Sequence, residues 1–286
     1  MRIARLAGAA VVAAMMAGCT QVPEFDRPEP PIRDTWSSAT RLGALDDITL
    51  WWKRFGTAEL IRLENAAIGQ NFDLQAAIAR IQQARGLAAI ATAPLLPSLD
   101  LNGTVDRSRD FSVKSTQNVL AMASYEIDFW GENKASADSA ATLVEASAFD
   151  ADTVTITLTA TVADTYFQIL SLRERIERAR QIAKDADRIL ELVRVQRGGG
   201  TASDLLVEQQ RNLAATFAST VPTLQLQLDQ SEHLLSSLIG EPAGSLKIAA
   251  RSLRPIPVPT ASAGVPSSLL EWRPDIKAAE ARLSSS

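Results

Sequence analysis

From Glu59 to about Ala91, apolar residues recur at three- and four-residue steps: Leu60, Leu63, Ala67, Leu74, Ala77, Ile78, Ile81, Ala84 and Leu87. That spacing predicts one helix, and Pro94 and Pro97 end it. The period then changes to two. Leu99, Leu101, Gly103 and Val105 fall on one side, with Asp100, Asn102, Thr104 and Asp106 on the other. After a polar stretch the alternation returns, with Val119, Ala121, Ala123, Tyr125, Ile127 and Phe129 on one side and Ser124, Glu126 and Asp128 among the other. Each run is about 10–13 residues, the length a tilted transmembrane strand requires. A water-filled barrel wants apolar side chains outward and carboxylates inward, and a hairpin packed on a soluble core would show the same alternation.

Gly131 opens a segment with neither Gly nor Pro until Gly198. As one helix of about 66 residues it would reach roughly 100 Å. Its later half carries a heptad register: Ile169, Ile176, Ala183 and Leu190 lie seven apart, with Leu172, Ala179, Ala186 and Val193 three residues behind each. Charged residues such as Arg173, Glu174, Arg178, Lys184 and Glu191 lie between, which makes a coiled-coil seam with a solvated face. Within the same segment Thr153, Thr155, Thr157, Thr159 and Thr161 alternate with Val154, Ile156, Leu158 and Ala160. Locally that spells a strand, but no turn signal brackets it and helical spacing runs on both sides, so it is assigned to the helix. Gly198, Gly199 and Gly200 break the helix, and Thr201, Ala202 and Ser203 lead into the next, a tight helix–turn–helix. A phosphate-cradling loop would need a preceding strand and a following Lys, and has neither. The second arm runs from about Ala202 to Ile239, with Pro222 as a kink and Gly240-Glu241-Pro242 as its stop. A Pro-rich linker follows, with Pro255, Pro257, Pro259 and Pro266.

The N-terminus bears on the compartment. Arg2 and Arg5 precede an apolar run, Leu6 to Ala17, closed by Ala17-Gly18-Cys19. At about 12 residues the run is too short to span a bilayer and reads as a targeting segment. Residues 20–34 hold Pro23, Pro28, Pro30 and Pro31 and read as an extended leader. Composition narrows the chemistry further. One cysteine in 286 residues excludes a disulfide framework or a multi-Cys cluster, and one histidine, His233, excludes a His-rich metal site. A formal charge of −4 gives no basic footprint for nucleic acid. No nucleophile–base pair or metal set presents itself, so no enzyme activity and no cofactor is expected.

The chain also repeats itself. Asp73-Leu74-Gln75-Ala76-Ala77-Ile78-Ala79-Arg80-Ile81 matches the segment from Asp275 to Leu283, 202 residues later, at five of nine positions. Two further positions exchange leucine with isoleucine. If the unit repeats, a second copy has barely begun at Ser286, and the chain looks like the first half of a duplicated protein.

Several of these pieces resemble known families. Ala17-Gly18-Cys19 is similar to the lipobox of bacterial lipoproteins, with Met16 in place of the usual leucine. The resemblance implies lipid attachment at Cys19, stable when two or three acyl chains are carried. Thr20 after the cysteine, rather than aspartate, implies sorting to the outer membrane of a Gram-negative bacterium. Trp51-Trp52-Lys53-Arg54-Phe55-Gly56, then Leu60, then Asn71-Phe72-Asp73-Leu74 closely resembles the first periplasmic segment of TolC-like outer-membrane efflux proteins. The branch most similar is the lipoproteins that serve resistance-nodulation-division pumps. Tyr125-Glu126-Ile127-Asp128-Phe129-Trp130-Gly131 looks like their second strand entering the long helix. Gly200-Thr201-Ala202-Ser203-Asp204-Leu205 is similar to their hairpin tip, and Arg273-Pro274-Asp275-Ile276 with Ala279-Glu280 to the opening of their second repeat.

The resemblance implies a homotrimer in which each full subunit gives four strands to a shared twelve-stranded barrel and long helices to a periplasmic tunnel. The fold class is then mainly α, with long coiled-coil hairpins forming a helical barrel, plus two β-strands of a shared outer-membrane β-barrel. Conduction would be passive, driven by an inner-membrane resistance-nodulation-division pump joined through a periplasmic adaptor protein. Glu126 and Asp128 would face the lumen, and the tip Gly198, Gly199, Gly200, Thr201, Ala202 and Ser203 would dock on the adaptor. The implied organisation is a signal peptide at 1–18, a leader at 19–56, tunnel segments at 57–97 and 131–240, a transmembrane β-hairpin at 98–130, a linker at 241–266 and the start of a second repeat at 267–286. Leu206 stands where the family usually has an acidic residue and Arg211 where it often has Glu, so adaptor contacts are expected to differ. Because lipid tolerates no open sheet edge, two strands alone are expected not to close a channel. The competing reading is a lipid-anchored periplasmic adaptor, which would also show heptads and a glycine turn but should lack membrane-length strands.

Overall fold

The structure, a computed structural model, describes residues 25–28, 31, 50–109, 111, 113–260 and 266–286. Cys19 and the targeting segment lie outside the described residues. Two helices, α1 (Ala58–Gln70) and α2 (Phe72–Thr92), precede strands β1 (Ser98–Arg109) and β2 (Val113–Ser124). Then come the long helix α3 (Glu132–Gly198), its partner α4 (Asp204–Leu238), and two short helices, α5 (Ser268–Trp272) and α6 (Pro274–Ser284). The chain divides into two compact units. One comprises residues 1–33, 77–151 and 267–286, and the other residues 34–76 and 152–266.

The larger core lies in the second unit. Ile169, Leu172, Ile176 and Ala179 of α3 pack with Leu224, Leu228, Leu235 and Ile239 of α4 and with Trp52, Leu60, Leu63 and Ala67. Further along the seam, Ala186, Leu190 and Val193 meet Val207 and Ala214. Seven of the eight heptad positions are buried and Ala183 is half-buried, as an antiparallel coiled-coil seam requires. The threonine run is helical. The hydroxyls of Thr157, Thr161 and Thr165 donate to the carbonyls of Thr153, Thr157 and Thr161. Each β-branched side chain thus spends its polar group on the preceding turn, which removes the competing demand that spells a strand locally.

The helix read from Glu59 to Ala91 is two. Asn71 leaves helical geometry at φ −66°, ψ 129°. Its amide Nδ2 donates to the Leu238 carbonyl at 3.0 Å, and its Oδ1 accepts from the Leu74 N–H at 3.0 Å. Apolar spacing continued across this break because the new helix restarts in nearly the same phase, so periodicity alone did not show it. The capping side chain is the signal that does.

At the far side of this joint α4 ends in a Schellman turn. Gly240 N–H donates to Ser237 O and Glu241 N–H to Ser236 O, with Gly240 at φ 72°. A Cβ on Gly240 would lie 2.8 Å from the Gln70 carbonyl oxygen, so this position needs both the left-handed backbone and the missing side chain. The turn after α3 uses the same device at Gly200, φ 78°, but faces open space.

In the first unit, small residues let α3 and α6 approach: Ala137, Ala146, Ala278 and Ala281 are buried. Ser139 Oγ donates to Ser285 O at 2.7 Å, Arg282 pairs with Asp150, and Lys277 sits 5.6 Å from the Phe149 ring centre. Arg27 Nε lies 2.7 Å from Glu280 Oε1. The segment similar to residues 73–81 is therefore a docked helix.

Gly200→Ala should cost about 1–2 kcal/mol of stability, the left-handed strain alone. Gly240→Ala should cost more, because the Gln70 backbone must also move; urea denaturation of the two variants side by side checks the order.

Candidate functional site

β1 and β2 pair antiparallel over their whole length, with Leu99 opposite Ala123, Leu101 opposite Ala121 and Gly103 opposite Val119. Directly opposed residues share a face, so Leu99, Leu101, Val105, Val119, Ala121 and Ala123 form the apolar part of one face, which turns polar toward the β1–β2 connection with Gln117, Arg107, Ser115 and Arg109. Asp100, Asn102, Thr104 and Asp106 lie on the other, with Asn118 and Thr116 but also Leu120 and Met122. Among the described residues no core covers either face: every residue of β1 is exposed, and Leu99, Leu101, Val105 and Val119 are each at least 70% exposed. A soluble β-hairpin of this composition would bury its apolar side.

The ladder is shorter than the sequence alternation. It stops at the Ser98–Ser124 pair, because Pro97 and the 3-10 turn Ala93–Leu95 offer no strand for Tyr125 to Phe129 to join. Those residues leave the sheet, and Tyr125, Ile127, Phe129 and Trp130 remain exposed. Glu126 is exposed and Asp128 half-buried. Asp128 also closes the start of a helix. Its Oδ2 accepts the Lys134 N–H at 2.8 Å, satisfying a donor in the first turn of α3.

At the other end of α3, Thr201 N–H donates to Gln196 O and Gly200 N–H to Arg197 O. Ser203 Oγ accepts from Leu206 N–H at 3.2 Å, capping α4. Arg197 and Asp204 pair across the turn at 2.6 Å, and Ala202 packs on the end of the seam. The tip is thus rigidly built, and its Gly198, Gly199, Gly200 and Thr201 are exposed. Tip and hairpin belong to different units. Among the described residues no helix is long and apolar enough to cross a membrane. His233 is exposed on α4.

A family model described as outer membrane efflux protein matches residues 63–241. The chain belongs to that family. The pyoverdine export outer membrane protein OpmQ of Pseudomonas aeruginosa is 40% identical over 253 residues, covering 83% of this chain and 53% of that protein. Its counterpart in Pseudomonas putida is 36% identical, covering 94% of this chain and 60% of its own length. The open state of the Neisseria gonorrhoeae MtrE outer membrane channel superposes with a TM-score of 0.77 at 25% identity, over 93% of this chain and 61% of that one. The chain thus spans less than two thirds of the length of these relatives. The mainly helical fold with two antiparallel strands, expected from the sequence, is the fold of TolC-like channels.

Three charged residues organise the second unit of this efflux-family chain: Glu59, which the sequence does not single out, and Arg173 and Glu174, which the heptad pattern puts on a solvated face but which bind residues 248–253 instead. Glu59 accepts the N–H groups of Ala249 and Ala250 at 2.7 and 3.2 Å and the Tyr166 hydroxyl at 3.2 Å. Arg173 donates to the carbonyls of Ile248 and Ala250 at 2.9 and 2.7 Å and to Glu232. Glu174 accepts from the Ser252 hydroxyl and the Leu253 N–H. Together they pin residues 248–253 onto the core. Burial, reinforced by the Glu59 charge, pushes the Tyr166 phenol up to about 12. Hydrogen bonds from Ser252 and Leu253 hold Glu174 below the usual carboxylate range. Nothing in the sequence marks these residues, because their partners in the pinned segment lie 75 to 191 positions away.

Glu64 differs from all of them. It is fully buried on α1 and neither carboxylate oxygen has a hydrogen-bond partner among the described residues. Burial pushes its pKa up to about 8, so the folded chain holds a proton that the unfolded chain releases near pH 4.5. Stability from this group therefore falls as pH rises from about 4.5 to about 8, then levels.

Glu64→Met should stabilise the chain by about 1–3 kcal/mol at pH 8, the cost of an unsatisfied buried polar group. Melting curves across pH should show the difference smallest near pH 4 and flat above pH 8.

Proposed function

We propose that the chain works within the outer-membrane channel component of a tripartite efflux assembly, conducting cargo passively after an inner-membrane pump has loaded it. The observation that carries this reading is the uncovered hairpin, whose apolar face suits acyl chains and whose opposite face carries Asp100, Asn102, Thr104 and Asp106. Membership of the efflux family and the channel-like fold support it. Relatives named for outer-membrane export support placement in the outer membrane, and the lipobox-like Ala17-Gly18-Cys19 supports Cys19 as the lipid anchor.

On this reading the two strands, residues 98–124, cross the membrane, and residues 57–97 and 131–240 line a periplasmic conduit within a homotrimer. Glu126 and Asp128 lie where the strands give way to α3, and their charge tunes passage as lumen charges do. The exposed turn Gly198–Ser203 meets the adaptor protein, and its stiffness supports that role: a docking surface already held by the Thr201, Gly200 and Ser203 bonds loses little entropy on binding. No step makes or breaks a covalent bond. The adaptor alternative explains the helical hairpin but not an uncovered ribbon of membrane length.

A cysteine at Phe111, a fully exposed residue between the strands, tests the reading. Phe111→Cys in intact cells should react with a membrane-impermeant maleimide. Labelling only after the outer membrane is permeabilised would place the loop in the periplasm and favour the adaptor.

A further inference from the structure

Arg173, Arg178 and Arg180 of α3, with Arg251 and Arg254 of the pinned segment, line one cavity of about 680 Å³ within the second unit. Its floor includes Ile176, Leu228 and Ile248. Two carboxylates share the lining, Glu174 and Glu177. Glu174 is already engaged by Ser252 and Leu253, and Arg173 by Glu232 and the carbonyls of Ile248 and Ala250. Among the described residues the guanidinium groups of Arg178, Arg180, Arg251 and Arg254 hold no salt bridge or side-chain hydrogen bond. That leaves four open donor forks facing one concavity, opposed by only two carboxylates, Glu174 and Glu177, in a chain whose net charge is −4.

Elsewhere several exposed arginines of these helices find carboxylates, Arg188 with Asp185, Arg197 with Asp204 and Arg211 with Glu208, whereas the cavity gathers four without one. The charges of Arg178 and Arg254 both act on Glu174 and help hold it ionised, so guanidiniums from two different segments reach the same space. Like charges gathered this way repel unless an anion lies between them. The planar fork of arginine matches carboxylate and phosphate oxygens two at a time.

We propose that this cavity binds a small polyvalent oxyanion, bearing carboxylate or phosphate groups, bridged between Arg178 and Arg180 on the helix and Arg251 and Arg254 on the pinned segment. The site stands apart from conduction and does not depend on the channel reading. Bound there, the anion would clamp residues 251–254 to α3 through charge, where Glu59, Arg173 and Glu174 already hold the backbone.

Calorimetric titration of the purified chain in detergent, with citrate and with inorganic pyrophosphate as probes, tests it. Binding should saturate at one anion per chain and weaken as salt is raised. Arg178→Gln and Arg254→Gln should each lower affinity by about tenfold or more, the loss of a charge-assisted hydrogen bond. Both residues are exposed, so the variants should keep the helical circular dichroism of the unsubstituted chain. Arg188→Gln, outside the cavity, should bind normally. Tighter citrate binding would identify a carboxylate ligand, tighter pyrophosphate a phosphate one, and equal binding the oxyanion chemistry common to both. Failure of both probes to saturate, unchanged affinity in the two cavity variants, or an equal loss in Arg188→Gln would overturn the proposal.

Discussion

Six apolar side chains on one face of a two-stranded ribbon, none of them covered, set the terms for this molecule. In water such a face would collapse onto whatever core was near, since each buried aliphatic side chain is worth about 1.5–3 kcal/mol. Within its own unit, among the described residues, nothing buries them: Leu99, Leu101, Val105 and Val119 are each at least 70% exposed. The ribbon instead holds its alternation in register over twelve pairs. A sheet with carboxylates on one side and Leu and Val on the other is matched to a boundary between lipid and water. Each of its open edges must then find another strand.

The helical part obeys an ordinary aqueous rule. Its seam alternates large and small residues, and it is the small ones, Ala179, Ala186 and Ala214, that let α3 and α4 approach. Helix ends are closed with equal care, by Schellman turns at Gly200 and Gly240 and by side-chain caps from Ser203 and Asn71. Among the described residues two buried groups depart from this economy, the unpartnered Trp52 Nε1 and the Glu64 carboxyl, an acid that the core accepts only in its protonated form at neutral pH.

What could be read from the sequence was whatever repeats locally. The heptads marked the buried seam, the glycines marked both ends of the hairpin, and period-two alternation marked the ribbon and its facing. Only the flanks of the threonine run point to a helix, and the structure supplies the reason, hydroxyls bonded back along the helix. Two features escaped. The break at Asn71 is a single capping residue inside continuous apolar spacing, and the strand end at Ser124 depends on what lies opposite it. The clamp formed by Glu59, Arg173 and Glu174 was illegible for a different cause. A charged residue on a solvated helix face looks the same whether it meets water or a backbone segment folded back from far along the chain.

The most direct measurement places nitroxide labels singly along β1, at positions 99, 101 and 105 and at 100, 102 and 104, in chain reconstituted into liposomes. Collision with oxygen, which concentrates in acyl chains, should be high at the odd positions and low at the even ones, with a water-soluble nickel complex showing the opposite phase. Equal access of the nickel complex to both sets, or oxygen access low at all six, would mean that this face does not meet lipid, and the efflux-channel assignment would fall with it.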